Sequence, residues 1–319
     1  MMRWEQFQKL KRTIDKSSKS TAVFGLTDSQ KCHMTVSVLY PMEYSCLYIT
    51  SSDTQARRVQ EDLAFFYPDR VMLFPEREVM LYNIAARSMD VIEQRLRVLE
   101  GLVLNRNMII VASIEALLSM QTPPSIFYEA IFTLRVGDYI PLTLLTKKLV
   151  QMGYERVFTV EGKGQFSIRG GILDVFPLTV DEPYRIEFFG DEIDSIRSFD
   201  IVSQRSITKG AEIVISPARE LILQGEITKA GRERISKDYT RYIHETNKNR
   251  SKNSPLGQKV SYILDKLDEG IYDDSLEGYF PFFYSGGTTF FEYLKSPSLI
   301  VLDEPGRIRE RCRGHRREF

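Results

Sequence analysis

Cysteine and histidine are scarce in this sequence, and long apolar runs are missing. Among 319 residues there are 3 cysteines (Cys32, Cys46 and Cys312) and 3 histidines, with no CxxC or Cys/His spacing. This pattern excludes a disulfide framework and a zinc finger, and it is typical of a reducing compartment. No apolar run approaches the roughly 18 residues of a membrane span, and the first residues lack a signal-peptide core. We therefore predict a cytoplasmic protein with no membrane contact and no metal site.

The chain also has no formal net charge. Lysine and arginine total 43, and aspartate and glutamate total 43, whereas chains that bind nucleic acid usually carry a basic excess. Only the tail at 307–319 concentrates arginine, and we interpret it first as a solvated helix. The 43% apolar and 27% charged residues are ordinary for a globular protein. The length predicts two or three domains.

The first third of the chain alternates short apolar segments with amphipathic ones. Apolar segments without in–out alternation are typical of parallel strands that are covered on both faces. Strands are predicted at 21–26, 45–51, 70–75 and 108–113. Helices are predicted at 30–40, 53–66 and 90–104. This alternation indicates an α/β domain with a parallel sheet.

The pattern changes near Pro123 and Pro124. Between 154 and 200 the chain consists of short alternating segments interrupted by glycine and proline, which predicts the hairpins of a small antiparallel α+β domain. Polar helices are then predicted at 226–249 and 256–268, with an exposed loop at 248–255. The chain ends with a buried strand at 298–304, which we expect to return to the first sheet.

The segment GLTDSQKC at 25–32 has the layout of a phosphate-binding loop. In such a loop glycine lets backbone N–H groups approach phosphate, lysine reaches the β- and γ-phosphates, and a hydroxyl holds Mg²⁺. Gly25 and Lys31 fit, but Gln30 replaces the second glycine and Cys32 replaces the hydroxyl. A thiol is a poor ligand for Mg²⁺. We interpret the segment as a remnant that kept its fold after losing its nucleotide.

A second part of a nucleotide site is suggested late in the chain. LIVLDE at 299–304 resembles a Walker B strand that ends in Asp303 and Glu304. The alternative hypothesis is therefore a nucleotide-binding repair ATPase that uses Lys31 with these two carboxylates. A DNA-binding module is a further alternative.

The most distinctive segment is 162–200, a run of predicted hairpins rich in charge. Period two along β-structure places Arg185, Glu187 and Phe189 on one face and the intervening apolar residues on the other. If the apolar face packs inward, Phe189 is exposed beside an arginine, and such residues are typical anchors of a protein interface. Surface charge with one half-buried phenylalanine is the plainer alternative.

The segment from residue 169 to residue 206 carries a specific resemblance to a known family. RGGILDVFP at 169–177, PYRIEFFGDEIDSIRSFD at 183–200 and the following SQRS resemble the second domain of the transcription-repair coupling factors (Mfd). They resemble the excision-repair protein UvrB more distantly. Residues 91–118 and 279–294 are similar to the flanking parts of the same UvrB-homology module, so the resemblance covers nearly the whole chain.

Two departures from UvrB favour the coupling factors. UvrB keeps an intact phosphate loop, which this chain lacks. UvrB also carries a long, tyrosine-rich hairpin that clamps DNA, whereas the corresponding segment at 74–94 is short and has Tyr82 as its only tyrosine.

The resemblance implies a fold and a domain division. It implies a RecA-like parallel-sheet domain, degenerate and nucleotide-free, that is interrupted by a small antiparallel α+β domain. The division is domain 1a at 1–122, domain 2 at 123–212 and domain 1b at 213–319, with domain 1b completing or flanking domain 1a.

The resemblance also implies a function without catalysis or cofactor. In the family this module is an adaptor that recruits UvrA to RNA polymerase stalled at a lesion, and domain 2 carries the UvrA-binding surface. That pattern maps onto Arg169, Arg185 and Phe189, which would pair with acidic groups and bury one ring. Full-length members add a translocase that acts on DNA and a C-terminal domain that masks the UvrA surface.

Overall fold

The structure, a computed structural model, describes residues 5–16, 20–40, 44–77, 89–245, 254–284, 286–295 and 297–318. The chain forms two compact units. Unit 1 comprises Met1–Arg77, Leu104–Ser119 and Tyr293–Phe319, and unit 2 comprises Glu78–Val103 and Met120–Glu292. The three-part division at 122 and 212 stays a prediction.

The helices and strands follow one another along both units. The helices are α1 (Glu5–Lys16), α2 (Asp28–Leu39), α3 (Asp53–Ala64), α4 (Met89–Val103), α5 (Ile114–Leu118), α6 (Pro124–Ala130), α7 (Leu142–Gln151), α8 (Gly225–Glu245), α9 (Pro255–Glu269), α10 (Phe280–Phe283) and α11 (Pro305–Glu318). The strands are β1 (Ser45–Thr50), β2 (Val71–Phe74), β3 (Ile109–Ser113), β4 (Phe132–Arg135), β5 (Glu155–Arg156), β6 (Gln165–Arg169), β7 (Ile172–Val175), β8 (Tyr184–Phe189), β9 (Glu192–Phe199), β10 (Ser206–Gly210), β11 (Glu212–Ile215) and β12 (Ser298–Leu302). The α/β class predicted from the sequence is confirmed.

Unit 1 is built on a parallel sheet with the strand order β12-β1-β3-β2. In its centre, Cys46 of β1 lies between Leu299 of β12 and Ile109 of β3. The side chains of β1 from Cys46 to Thr50 are buried, as expected for a strand that is covered on both faces. The predicted return of the last strand to the first sheet is confirmed by the pairing of β12 with β1.

The sheet differs from the prediction at one edge. The segment 21–26, predicted as the first strand, has no regular secondary structure, and Phe24 is exposed. A short apolar run becomes a strand only where a neighbouring strand completes its hydrogen bonds, and among the described residues nothing pairs with it. β12 is consequently an edge strand with Ile300 and Leu302 about half exposed, not the buried strand that was predicted.

Unit 2 contains a six-stranded sheet with the order β10-β9-β8-β7-β6-β5 and a separate pair, β11-β4. Its neighbours are antiparallel except for β5 and β6, which are parallel. The prediction of an antiparallel, hairpin-rich domain is therefore confirmed, with this one parallel exception.

The rest of unit 2 is helical. α8, α9 and α10 share an apolar core in which Ile235, Ile263 and Phe283 are buried. Gly231 of α8 lies where an added Cβ would be 2.4 Å from the Phe283 ring, so glycine permits this close packing. Parts of the predicted helix at 226–249 and loop at 248–255, and Tyr82, lie outside the described residues. No helix in the described ranges is long and apolar enough to cross a membrane.

Candidate functional site

The face of β8 that was predicted to meet a partner is partly exposed, most of all at its end. Ile186 is buried, whereas Phe189 is 82% exposed at the end of the strand. Arg185 and Glu187 make their contacts with charged side chains of the neighbouring strands. The predicted alternation is confirmed at Ile186 and Phe189, whereas the other four residues of β8 are half-buried.

Asp174 lies at the centre of this face and binds both predicted arginines. Register places Asp174 of β7 directly opposite Arg185 of β8. Arg185 donates from Nε to Asp174 Oδ1 at 2.7 Å and from Nη2 to Oδ2 at 2.9 Å, and Arg169 Nη2 donates to Oδ2 at 2.8 Å. The Asp174 side chain is only 1% exposed. Two cations on one buried carboxylate leave the group with a net positive charge.

The Arg185 guanidinium has an aromatic ring and a backbone oxygen as neighbours besides Asp174. Its guanidinium lies 4.7 Å from the centre of the buried Phe199 ring, a cation–π contact. It also donates to the backbone oxygen of Gln204 at 3.3 Å. The pKa of Arg185 is raised, chiefly by the hydrogen bond to Asp174. Its side chain is 18% exposed, so most of its bonding capacity is used within the protein.

Arg169 and Phe189 are the more accessible members of the predicted trio. The Arg169 side chain is 43% exposed and donates to Asp174 through Nη2. Its planar fork has five N–H donors, so it keeps donors for a partner. Phe189 ends β8, where Gly190 follows with a φ of +63°, a value that glycine adopts without strain.

In the phosphate-loop remnant, Lys31 forms ion pairs with carboxylates of the protein itself. Lys31 Nζ donates to Asp303 Oδ1 at 2.8 Å and to Asp28 Oδ1 at 3.2 Å. The other oxygen of Asp303 accepts from Gln55 at 2.9 Å. The hydrogen bond to Asp303 is the main cause of the raised pKa of Lys31. The lysine that would reach phosphate and the carboxylate that would face Mg²⁺ therefore neutralise each other.

The other remnant residues also do not fit a magnesium nucleotide. Gln30 Oε1 accepts a hydrogen bond from the backbone N–H of Thr27 at 3.0 Å and so caps the start of α2. This N–H is one of the donors that a bound phosphate would need. Cys32 is buried in the core of unit 1, and burial raises the pKa of its thiol to about 11. Gly25 has a φ of +79° in the preceding turn. Within the described ranges, no group of three or more His, Cys, Asp or Glu side chains is placed to hold a metal ion.

Sequence reasoning missed two residues of this face. Asp174 is one of many charged residues in the segment 162–200, and its bridging role depends on cross-strand register, which the sequence does not show. Gln204 itself has a φ of +58°, and its side-chain amide donates to the backbone oxygen of Val160. The SQRS motif contains this glutamine, so the motif was the available signal.

Comparison with known proteins identifies relatives of this chain. Residues 132–221 match the family described as the UvrB interaction domain. The transcription-repair-coupling factor of Bacillus subtilis (strain 168) is 33% identical over 307 residues, which cover 96% of this chain and 26% of the relative. The factors of Staphylococcus aureus strains Mu50 and USA300 are each 32% identical over 307 residues, 95% of this chain and 26% of the relative.

The chain spans about a quarter of the length of the curated relatives it matches. The matches to these relatives cover nearly all of this chain. The segment that matches the UvrB interaction domain contains Asp174, the two arginines that it binds, and Phe189. The resemblance inferred from residues 169–200 is confirmed: over nearly its whole length this chain is similar to transcription-repair-coupling factors, and its residues 132–221 match the UvrB interaction domain.

Proposed function

We propose that this chain is a non-catalytic adaptor module that recruits UvrA during transcription-coupled nucleotide excision repair. Homology to the coupling factors and the UvrB interaction domain at 132–221 supports a role in this repair process. The proposed binding surface is the exposed face of β8 and its neighbours. Arg169, Arg185 and Phe189 lie on it, as the family pattern implies.

One observation carries the proposal. A buried carboxylate, Asp174, holds two arginines in fixed positions on the face that ends in the exposed ring of Phe189. Interface hot spots are enriched in arginine and aromatic residues, and fixed side chains lose little entropy on binding. In this arrangement Arg169 meets acidic groups of UvrA, Phe189 buries its ring, and Arg185 supports the charged centre.

The proposal extends to the whole coupling factor. Because this chain spans about a quarter of its relatives, we propose that the remaining parts of the full-length protein engage RNA polymerase and DNA. A C-terminal domain that masks the UvrA surface in the resting protein is part of the same proposal. In the module itself we propose no catalytic residue and no cofactor.

Binding of UvrA to the purified chain, measured by calorimetry, tests the function. We expect saturable binding by the wild type. Changing Arg169→Ala or Phe189→Ala should each weaken it by about 2 kcal/mol, which is roughly 30-fold. The Arg185→Ala, Phe189→Ala double variant should abolish measurable binding, because Asp174 also loses its main partner.

A matched control separates this surface from exposed aromatic residues in general. Phe65 of unit 1 is 84% exposed, so Phe65→Ala removes an equally accessible ring from another part of the molecule. It should bind UvrA as the wild type does. If the folded wild type shows no binding, or if the Arg169 and Phe189 variants bind normally, the proposed function is wrong.

A second experiment addresses the nucleotide hypothesis. We expect millimolar Mg-ATP to leave the melting temperature of the chain unchanged, because Lys31 and Asp303 already pair with each other and Gln30 caps the helix. A nucleotide bound at 100 times its Kd would add about 2.7 kcal/mol. A rise of several degrees that is lost in Lys31→Met would establish nucleotide binding instead.

A further inference from the structure

The tip of the β8–β9 hairpin brings a distant tyrosine and a glutamate next to Phe189. Phe189 pairs across the strands with Glu192, and Tyr139 bridges to the same glutamate from the other side. Residues directly opposite in antiparallel pairs share a face of the sheet, so Glu192 has Phe189 on one side and Tyr139 on the other. Tyr139 is 75% exposed. We call Tyr139, Phe189 and Glu192 the hairpin-tip patch.

Backbone hydrogen bonds hold the segment that carries Tyr139 against the start of β9. Gly137 donates to the oxygen of Ile193 at 2.8 Å, and Ile193 donates to the oxygen of Asp138 at 2.9 Å. A third bond, from Ile140 to the oxygen of Asp191, is 2.8 Å long. The turn that carries Tyr139 is thus anchored to the start of β9, which lowers the entropy that binding would cost.

The chemistry of the patch is acidic and aromatic. The Tyr139 hydroxyl donates to Glu192 Oε2 at 2.6 Å, which uses one of about four acceptor positions of a carboxylate. Asp138, Asp191 and Asp194 are close by in sequence and add negative charge. Two exposed aromatic side chains beside a carboxylate are complementary to a guanidinium or ammonium group, through cation–π contact and a charge-assisted hydrogen bond.

We propose that the hairpin-tip patch binds an arginine or lysine side chain of the protein that docks on the exposed face of β8. This inference rests on the proposed function, in which that protein is UvrA. Phe189 belongs to both areas, so the patch continues the surface that contains Arg169. The docking surface then has a basic half that recognises carboxylates and an acidic, aromatic half that recognises a cation. Such alternation of charge fixes the orientation of a partner.

Calorimetric titration of UvrA into variants of the patch tests this inference. Tyr139→Ala and Glu192→Gln should each weaken binding at least about tenfold. Glu192→Lys should weaken it more than Glu192→Gln, because it places like charges together. Glu192→Gln should also change how the Kd depends on salt, since one attractive ion pair is removed. A purely structural role of Glu192 would not predict this change.

Controls and contrary outcomes are distinct for the two proposals. Glu182→Gln removes one exposed charge elsewhere in unit 2 and should bind as the wild type does, and circular dichroism with urea unfolding checks that all variants are folded. If Phe189→Ala weakens binding but the Tyr139 and Glu192 variants do not, the inference is overturned and the proposed function stands. Tighter binding by Glu192→Lys would also overturn it. If the wild type does not bind UvrA, both fall.

Discussion

Glu220→Ala is expected to remove about 3–5 kcal/mol from the free energy of unfolding of unit 2. Arg95 and Glu220 are both almost fully buried, and Arg95 Nε donates to Glu220 Oε1 at 2.5 Å. Arg95 Nη2 also donates to Glu220 Oε2 and to Gln121, each at 3.1 Å. Removing the carboxylate takes two charge-assisted hydrogen bonds from a guanidinium in the protein interior, which costs more than losing an exposed ion pair.

Urea unfolding followed by circular dichroism measures this loss, and hydrogen exchange assigns the transition to unit 2. Asp181→Ala is the matched control, because it breaks the ion pair of Arg97 on the same helix with an 87% exposed aspartate. It should cost no more than about 1 kcal/mol. The double change Arg95→Met, Glu220→Leu should recover much of the stability, since apolar replacement of a buried pair is often neutral. A loss below about 1 kcal/mol in Glu220→Ala would contradict this prediction.

Phe199→Ala is expected to destabilise unit 2 by about 3–5 kcal/mol and to weaken the proposed UvrA surface. Phe199 is fully buried at the end of β9, in a cluster with Val160 and Phe176. Truncation leaves a cavity and also removes the ring beneath the Arg185 guanidinium. Because the arginine then loses one of its supports, binding should weaken even under conditions in which the variant is fully folded.

Phe189→Ala, in the neighbouring strand β8, provides the control for Phe199→Ala. Phe189→Ala removes an exposed ring, so it should change stability by no more than about 0.5 kcal/mol while it weakens binding. Phe199→Leu conserves most of the volume and should cost less than about 1.5 kcal/mol. Equal unfolding midpoints for Phe199→Ala and Phe189→Ala would contradict the packing described here. Urea unfolding and calorimetry with UvrA together distinguish the two effects.

The surface of unit 2 was partly predictable. The alternation along 184–189 correctly placed Ile186 inside and Phe189 outside, because adjacent side chains of a strand point to opposite faces. The same reasoning did not reveal that Asp174 binds both Arg169 and Arg185. That contact follows from the register between β7 and β8, and register is decided by the complete set of strand pairs.

Contacts between residues that are far apart in the chain could not be predicted from the sequence. Tyr139 and Glu192 are 53 residues apart, and Lys31 and Asp303 are 272 residues apart. The sequence suggested both parts of the nucleotide-site remnant but not that they bind each other. It also predicted a strand at 21–26, because an apolar run shows a propensity and cannot show whether a neighbouring strand is present.

The sequence by itself determined the class of fold, the hairpin-rich segment, the exposed face of β8 and the relationship to the coupling factors. These features depend on periodicity and on motifs that lie within short stretches of chain. Only the tertiary structure decided which edge of the parallel sheet is open, that Lys31 is neutralised by Asp303, and that Tyr139 joins Phe189 around one carboxylate. The reason is physical: hydrogen-bond partners, buried ion pairs and shared faces arise when strands distant in sequence are brought into register.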